Sequence, residues 1–321
     1  MKAILQDRYG DAEVLRYGET ERPVIGADDV LVRVRAAAFG AEAWHLITGR
    51  PHLARLFLGL RAPRRTVPGS DVAGVVEAIG ANVTRFGVGD EVFGVAAGSF
   101  AEFARTTQDS IARKPSRLSF EQAAAVPVSA CAALLGLRDA GGLKPGQRVL
   151  VIGAAGGVGS YAVQLAVALG AHVTAVTSST KIDVVPSLGA HEVIDYTTDG
   201  LGTGRYDLIL DTGGRRPLRV LRRSLTPNGT IVIVGGEGGN ALTGGIGRQL
   251  GGALLSGFRR QKVKGLMSSE KADELTYLAG LVQSGQVTPL IDRTFPLADT
   301  ADAMRYFTSG KARGKVVLTT G

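Results

Sequence analysis

The chain has 321 residues, with 37 Lys plus Arg against 29 Asp plus Glu and a formal charge of +8; that length suits two ordinary domains, which would bury roughly 75% of the surface an unfolded chain exposes. The positive excess is spread along the sequence, and no basic stretch is interleaved with aromatic residues, which argues against nucleic-acid binding. A single cysteine, Cys131, excludes an internal disulfide and a four-cysteine zinc site and suits a reducing, cytoplasmic compartment; the four histidines, His45, His52, His172 and His191, lack metal-ligand spacing, so no metal is expected.

The opening MKAILQDRYGD meets charge too early for the apolar core of a secretory signal. Up to about Ser119, short β-branched or alternating runs (Val30–Arg35, Val72–Ile79, Asp90–Val95, Phe100–Ala104) are separated by Gly, Pro, Asn and Asp, the spacing of an all-β barrel or sandwich. Arg61, Arg64 and Arg65 form the densest basic cluster, read as a solvated loop, with the border of an anionic ligand as the alternative. At Phe120 the texture changes: Ser119 followed by Gln122 is a capping-box pattern that predicts a helix, and Pro127 is expected to interrupt it, with a second helix restarting near Ser129. The uncharged run Ala123–Leu137 has 15 residues and contains Pro127, short of the roughly 20 apolar residues of a spanning helix. Neither a membrane segment nor a membrane partner is expected.

Strands predicted at Arg148–Ile152, His172–Thr177, Glu192–Ile194, Tyr206–Leu210 and Thr230–Val234, with a helix at Ser160–Leu169, indicate a parallel sheet covered on both faces. Pro186 implies a short or kinked helix around it. The stretch from Gly235 to Gly252, half of it glycine, reads as a mobile loop or a linker. The tail carries a helix around Glu270–Ser284, a segment Pro289–Arg293, a helix near Asp299–Thr308 and a last strand, KVVLTT, which has no following helix and so can return to the first domain.

The strongest motif is RVLVIGAAGGVGSYAVQLAVALGAHVTAVTSSTK. A hydrophobic strand ends at Gly153, a turn carries Ala155, Gly156, Gly157, Val158 and Gly159, and an apolar helix opens at once. Backbone amides at the positive end of that helix suit a pyrophosphate, so a dinucleotide site is predicted. The next strand ends in Thr177, Ser178, Ser179, Thr180 and Lys181, with no carboxylate before Asp183. Hydroxyls and an ammonium suit the 2′-phosphate of NADPH better than the bare ribose of NAD, the alternative being that Ser179 and Lys181 only cap the next helix.

These segments, together with PGSDVAGVV, GDEVFG, SFAEF, AAAVPVSA, LGAHEVIDY, YDLILDTGG, GTIVIVGG and ARGKVVLTT, resemble the zinc-independent quinone oxidoreductase branch of the medium-chain dehydrogenase/reductase superfamily, from Lys2 to Thr320. The resemblance implies an α/β protein with a GroES-like β-barrel domain, residues 1–122 completed by 287–321, and a doubly wound Rossmann domain, residues 123–286, whose cleft would hold the nicotinamide. It also implies a homodimer. By position, Tyr196 would lie near the 2′-phosphate, with packing as its alternative role. Thr212 and Gly213 would pass the cofactor, Val234, Gly235 and Gly236 would approach the nicotinamide ribose, and Leu266 and Met267 would border the carboxamide. Lys315 is either a cofactor contact or a solvated strand end, and Asp71 is read as structural in preference to catalytic. The chain departs from the family at Gly40, Ala43 and Ala132, where polar residues are common.

The implied reaction is hydride transfer from NADPH to a small-molecule acceptor, a quinone or the β-carbon of an enone, with a proton from water. No general acid is evident. Phe39, Trp44 and Phe93 are candidate walls for a flat substrate or, equally, core residues. Two further readings are a reductase dedicated to one biosynthetic intermediate and an NADPH-binding protein without turnover.

Overall fold

The computed structural model describes residues 1–235, 244, 260–266 and 268–321. They divide into two compact units, one made of 1–131, 269–285 and 289–321, the other of 132–268 and 286–288.

The first unit begins with β1 (Lys2–Leu5) and β2 (Arg16–Glu19), a small antiparallel pair. β3 (Asp29–Phe39) is the longest strand; Val32 and Val34 turn inward while Arg33 and Arg35 face solvent, the alternation of a sheet with one buried face. β4 (Asp71–Ile79), β5 (Glu91–Val95), β6 (Phe103–Thr107) and β7 (Ile111–Arg113) follow. The strand expected at Phe100–Ala104 therefore sits three residues later, because Phe100 is committed to accepting a bond from the Ile4 amide and to the buried core.

The second unit is a six-stranded parallel sheet built from β8 (Arg148–Ile152), β9 (His172–Thr177), β10 (Glu192–Asp195), β11 (Tyr206–Asp211), β12 (Leu225–Ile233) and β13 (Lys262–Gly265), in the order β10-β9-β8-β11-β12-β13. Renumbered from β8, this is the 3-2-1-4-5-6 order of a doubly wound dinucleotide fold. The four central strands are rich in buried Val, Ile and Leu because both faces of the sheet are covered.

The chain then returns to the first unit. β14 (Ile291–Pro296) pairs in parallel with β15 (Lys315–Thr319), and β15 pairs antiparallel with the second half of β3, Val316 opposite Phe39. β6 occupies the first half of the same edge, Val30 opposite Thr106, while β4 lies along the other edge. The last strand thus does close the first domain.

Three expectations need correction. Pro127 does not interrupt a helix but opens one, Pro127–Leu135, at the first position, where its missing amide hydrogen costs nothing. The unit boundary falls after Cys131, not after residue 122. The helix Ala272–Gln283, expected in the nucleotide domain, belongs to the first unit, where the Ala272 amide donates to the Asp109 carbonyl at 2.8 Å. Pro186 behaves as predicted: two short 3-10 turns, Ser179–Val184 and Pro186–Leu188, replace a regular helix.

One buried ion pair ties β4 to β15. The Lys315 ammonium donates to the Asp71 carboxylate at 3.0 Å and to the Ser129 hydroxyl at 2.9 Å, and both charged side chains are at most 4% exposed. The other Asp71 oxygen accepts from the Val128 amide at 2.8 Å, which satisfies an orphan donor at the start of the Pro127–Leu135 helix. Lys315 is therefore not a solvated strand end, and Asp71 has the structural role expected of it. Removing one partner strands a buried charge. Lys315→Met should cost about 3–5 kcal/mol in urea unfolding, and adding Asp71→Asn, which keeps an acceptor for Val128, should restore at least half of that loss.

Candidate nucleotide site and an acid cluster

Because the six strands of the second unit run parallel, the loops after them all open on one edge of the sheet. The predicted site residues follow strand ends there: Gly153 after β8, Ser178 after β9, Tyr196 after β10, Thr212 and Gly213 after β11, Val234 and Gly235 after β12, and Leu266 after β13. Gly236 and Met267 lie outside the described residues.

The turn after β8 is built on glycine geometry. Gly153 has φ +80° and abuts the Thr212 hydroxyl, which itself donates to the Ile152 carbonyl at 2.7 Å. A Cβ on Gly159 would lie 2.0 Å from the Gly153 carbonyl oxygen, so the helix is pressed against the turn more closely than any side chain allows. The helix Gly157–Ala168 starts from Gly156, which has no side chain to cap it; its first-turn amides and dipole are available to an anion. Ala155 is buried beneath the turn, and Gly157 and Val158 are partly exposed on it.

At the ends of β9 and β10, Ser179 Oγ and Thr197 Oγ1 lie 2.8 Å apart, and the Tyr196 amide donates to the Thr177 carbonyl at 3.0 Å. Ser178 takes the N-cap position of the turn without a side-chain capping bond. Two residues there escaped the sequence reading. Asp195 ends β10 and accepts from the Thr197 amide at 2.9 Å and hydroxyl at 2.7 Å; a hydrogen bond from Ser179, then those from Thr197, hold its carboxyl below the usual range. Arg216 sets its guanidinium over the half-exposed Tyr196 ring at 5.9 Å, a second cation in this corner besides Lys181. Pairing of β10 with β9 brings Asp195 there, which the span from Thr177 to Asp183 alone does not reveal. At the other side, a Cβ on Gly136 would approach Leu210, Val234 and Leu266 at 2.8–3.6 Å, so the last two share a small apolar surface beyond β11.

In the first unit the candidate aromatic walls separate. Phe39 and Phe93 are each 1% exposed; Phe39 stacks on Phe100 and tilts against Phe307 within the core. Both are core residues and leave no ring face for a substrate. Trp44, on the helix Ala41–Thr48, packs against the edge of that core and stays partly exposed.

The same helix carries Glu42, a residue the sequence reading passed over although it is the sole acidic residue between Asp29 and Asp71. Its carboxylate receives the Ser70 hydroxyl at 2.5 Å, whereas the Lys315 ammonium is taken by Asp71 and Ser129. Burial pushes the Glu42 carboxyl up to about 7; the Ser70 bond opposes the rise, Asp71 and Glu270 add to it, and Lys315 opposes it. Such a carboxyl still carries its proton near neutrality and is chemically able to donate it.

Residues 26–116 match the alcohol dehydrogenase GroES-like domain family, and residues 188–318 match a zinc-binding dehydrogenase family. Among the described residues no three His, Cys, Asp or Glu side chains gather as a metal site requires. The chain is 32% identical to a chloroplast envelope quinone oxidoreductase homolog of Arabidopsis thaliana, over 99% of this chain and 98% of that one. It is 34% identical to a 2-methylene-furan-3-one reductase of Solanum lycopersicum, over 99% and 79%. The solved structure of Escherichia coli quinone oxidoreductase complexed with NADPH superposes with a TM-score of 0.84 at 25% identity, over 99% and 100% of the two chains. The fold and the glycine turn define a medium-chain dehydrogenase/reductase. Within that superfamily the chain belongs to the quinone oxidoreductase branch.

The Glu42 carboxyl makes stability depend on pH. Its folded value of about 7 lies above the ordinary 4.5, so the folded state retains the proton longer and loses stability as pH rises from about 4.5 to 7, by at most about 3 kcal/mol. Glu42→Gln, which has no proton to lose, should gain on the wild type by up to that amount between pH 5 and pH 8 in urea unfolding. A stability difference independent of pH would contradict the assignment.

Proposed function

We propose that this protein is an NADPH-dependent reductase that delivers a hydride to a quinone or to the activated double bond of an enone. The observation that carries the reading is the glycine turn at the switch point of a 3-2-1-4-5-6 sheet, with hydroxyls and cations gathered at the end of its second strand. The named activities of the relatives support it.

The residues present fit the cofactor. The amides of the Gly153–Gly159 turn would hold the pyrophosphate, since no side chain occupies the space before the helix. Ser178, Ser179, Lys181, Tyr196 and Arg216 would hold the 2′-phosphate, and charge-assisted bonds there contribute about 1.5–3 kcal/mol each. The Asp195 carboxylate already accepts from Ser179 and Thr197. Thr212, Gly213, Val234, Gly235 and Leu266 would line the remaining strand ends. When bound, the nicotinamide supplies the hydride, the protein's part is to orient the acceptor, and water supplies the balancing proton; of the three aromatic candidates only Trp44 keeps an exposed face. The single cysteine, Cys131, supports a reducing, cytoplasmic compartment, and the resemblance supports a homodimer.

Selectivity for one acceptor is favoured by a specific feature. Gly40 leaves a space in which a Cβ would stand 3.5 Å from the Lys315 ammonium, and Ala43 and Ala132 are buried and apolar. The polar residues common at these three positions in the family are thus missing, which supports a reductase dedicated to one bulky intermediate.

Cofactor oxidation should be followed with NADPH and with NADH, against a quinone, an enone and a simple ketone. The expected result is turnover of the quinone or enone with at least about tenfold preference for NADPH, and loss of that preference in Lys181→Ala. Tight NADPH binding with no turnover of any acceptor would favour a protein that binds the cofactor without catalysis; equal use of NADH would overturn the phosphate assignment.

A further inference from the structure

The segment RPHLARLFLGLRAPRR, residues 50–65, has no part in the chemistry described above. Leu53, Leu56, Phe57 and Leu60 recur at i, i+3, i+4 and i+7, the spacing of one helical face. Residues His52–Ala54 and Arg55–Leu58 form consecutive helical turns that carry Leu53, Leu56 and Phe57, and Leu60 follows just beyond them, after Gly59 at φ +121°. An apolar stripe of this kind ordinarily points into a core. Here it points out: Leu53 is 38% exposed, Leu56 58%, Phe57 80% and Leu60 68%.

The backbone beneath the stripe is held in place. The Tyr9 hydroxyl donates to the Gly59 carbonyl at 2.7 Å, the Arg64 amide donates to the Leu58 carbonyl at 2.8 Å, and Arg55 donates to the Gly49 carbonyl at 3.0 Å while stacking on the Tyr9 ring. The apolar side chains are therefore presented by an ordered backbone.

Charge identifies what would cover them. Arg50, Arg61, Arg64 and Arg65 are exposed, and none of the four forms an ion pair among the described residues. No acidic residue occurs between Ala43 and Ser70. Leucines and a phenylalanine flanked by unpaired guanidiniums match a bilayer interface, where apolar side chains enter the acyl boundary and arginines meet anionic headgroups. Nucleic acid would engage the arginines and leave the leucines in water.

We propose that residues 50–65 form a docking surface for a lipid bilayer with anionic headgroups. This departs from the expectation of no membrane partner. The patch is short and no helix among the described residues is long and apolar enough to cross a membrane; binding is shallow and reversible, and a lipophilic acceptor dissolved in the bilayer would be met at its surface. The inference stands apart from the assignment of the reaction, because its test reads binding and not turnover.

The test is flotation of the full chain with vesicles of phosphatidylcholine, with and without phosphatidylglycerol. The wild type should bind the anionic vesicles at least about tenfold more tightly than the neutral ones, and added salt should weaken that binding. Phe57→Ser/Leu60→Ser should lose it without a change in net charge. Arg61→Glu/Arg64→Glu/Arg65→Glu should lose it too, whereas Lys144→Glu/Lys271→Glu/Lys311→Glu, with the same charge change at exposed positions elsewhere, should keep most of it. Unchanged circular dichroism and melting temperature would show that each variant is folded. Equal loss in the last variant would reduce the effect to overall charge and overturn the proposal. So would absence of vesicle binding, including the case where Phe57→Ser/Leu60→Ser abolishes self-association instead.

Discussion

The nucleotide unit depends on a steric constraint: the start of the Gly157–Ala168 helix rests on the Gly153 carbonyl at a distance that excludes even a methyl group at Gly159. That approach fixes the angle at which the helix leaves the sheet and brings its uncapped N-terminus over the end of β8. The order of the parallel strands then does the rest. Because the topology reverses between β8 and β11, the loops after these strands diverge and leave a crevice at the sheet edge. The glycine turn and Thr212 meet there, while the polar corner at Ser179, Asp195, Tyr196 and Arg216 forms two strands away.

The first unit is organised by a different interaction. Asp71 and Lys315 are 244 residues apart and pair in the core, joined by Ser129 and the Val128 amide. A buried pair of this kind contributes little net stability over a well-packed apolar substitute, but it penalises any arrangement that leaves either charge alone. It thus serves to hold the last strand in register against the first domain. It also shapes its surroundings: with the ammonium taken by Asp71, the neighbouring Glu42 has only a neutral hydroxyl as a close partner and keeps its proton to about pH 7.

The parallel sheet was legible in the sequence because β8, β9 and β11 carry short runs rich in apolar residues, bounded by turns, and because the glycine spacing has one steric explanation. The capping box at Ser119 and Gln122 formed as its local chemistry predicts. What escaped depends on contacts distant in sequence. Phe39 and Phe93 have the composition of a substrate wall, and only the packing of Phe100 and Phe307 on Phe39, and the burial of Phe93, identify them as core. Asp195 and Arg216 reach the ribose corner through strand pairing and a loop, and Glu42 acquires its character from Ser70 and Asp71. The exposed stripe at Leu53–Leu60 carries a core-like spacing, so periodicity alone could not reveal that it faces outward.

The measurement that tests the central claim most directly is NADPH affinity, by fluorescence titration, of Gly159→Ala beside Gly156→Ala. A Cβ at Gly156 would stand 3.2 Å from the Gly153 carbonyl against 2.0 Å at Gly159. With folding verified by circular dichroism, affinity should fall about a hundredfold or more in Gly159→Ala, as displacement of the helix by an ångström withdraws several charge-assisted bonds from the pyrophosphate, and much less in Gly156→Ala. A folded Gly159→Ala protein that binds NADPH as tightly as the wild type would contradict the assignment of this turn as the nucleotide site.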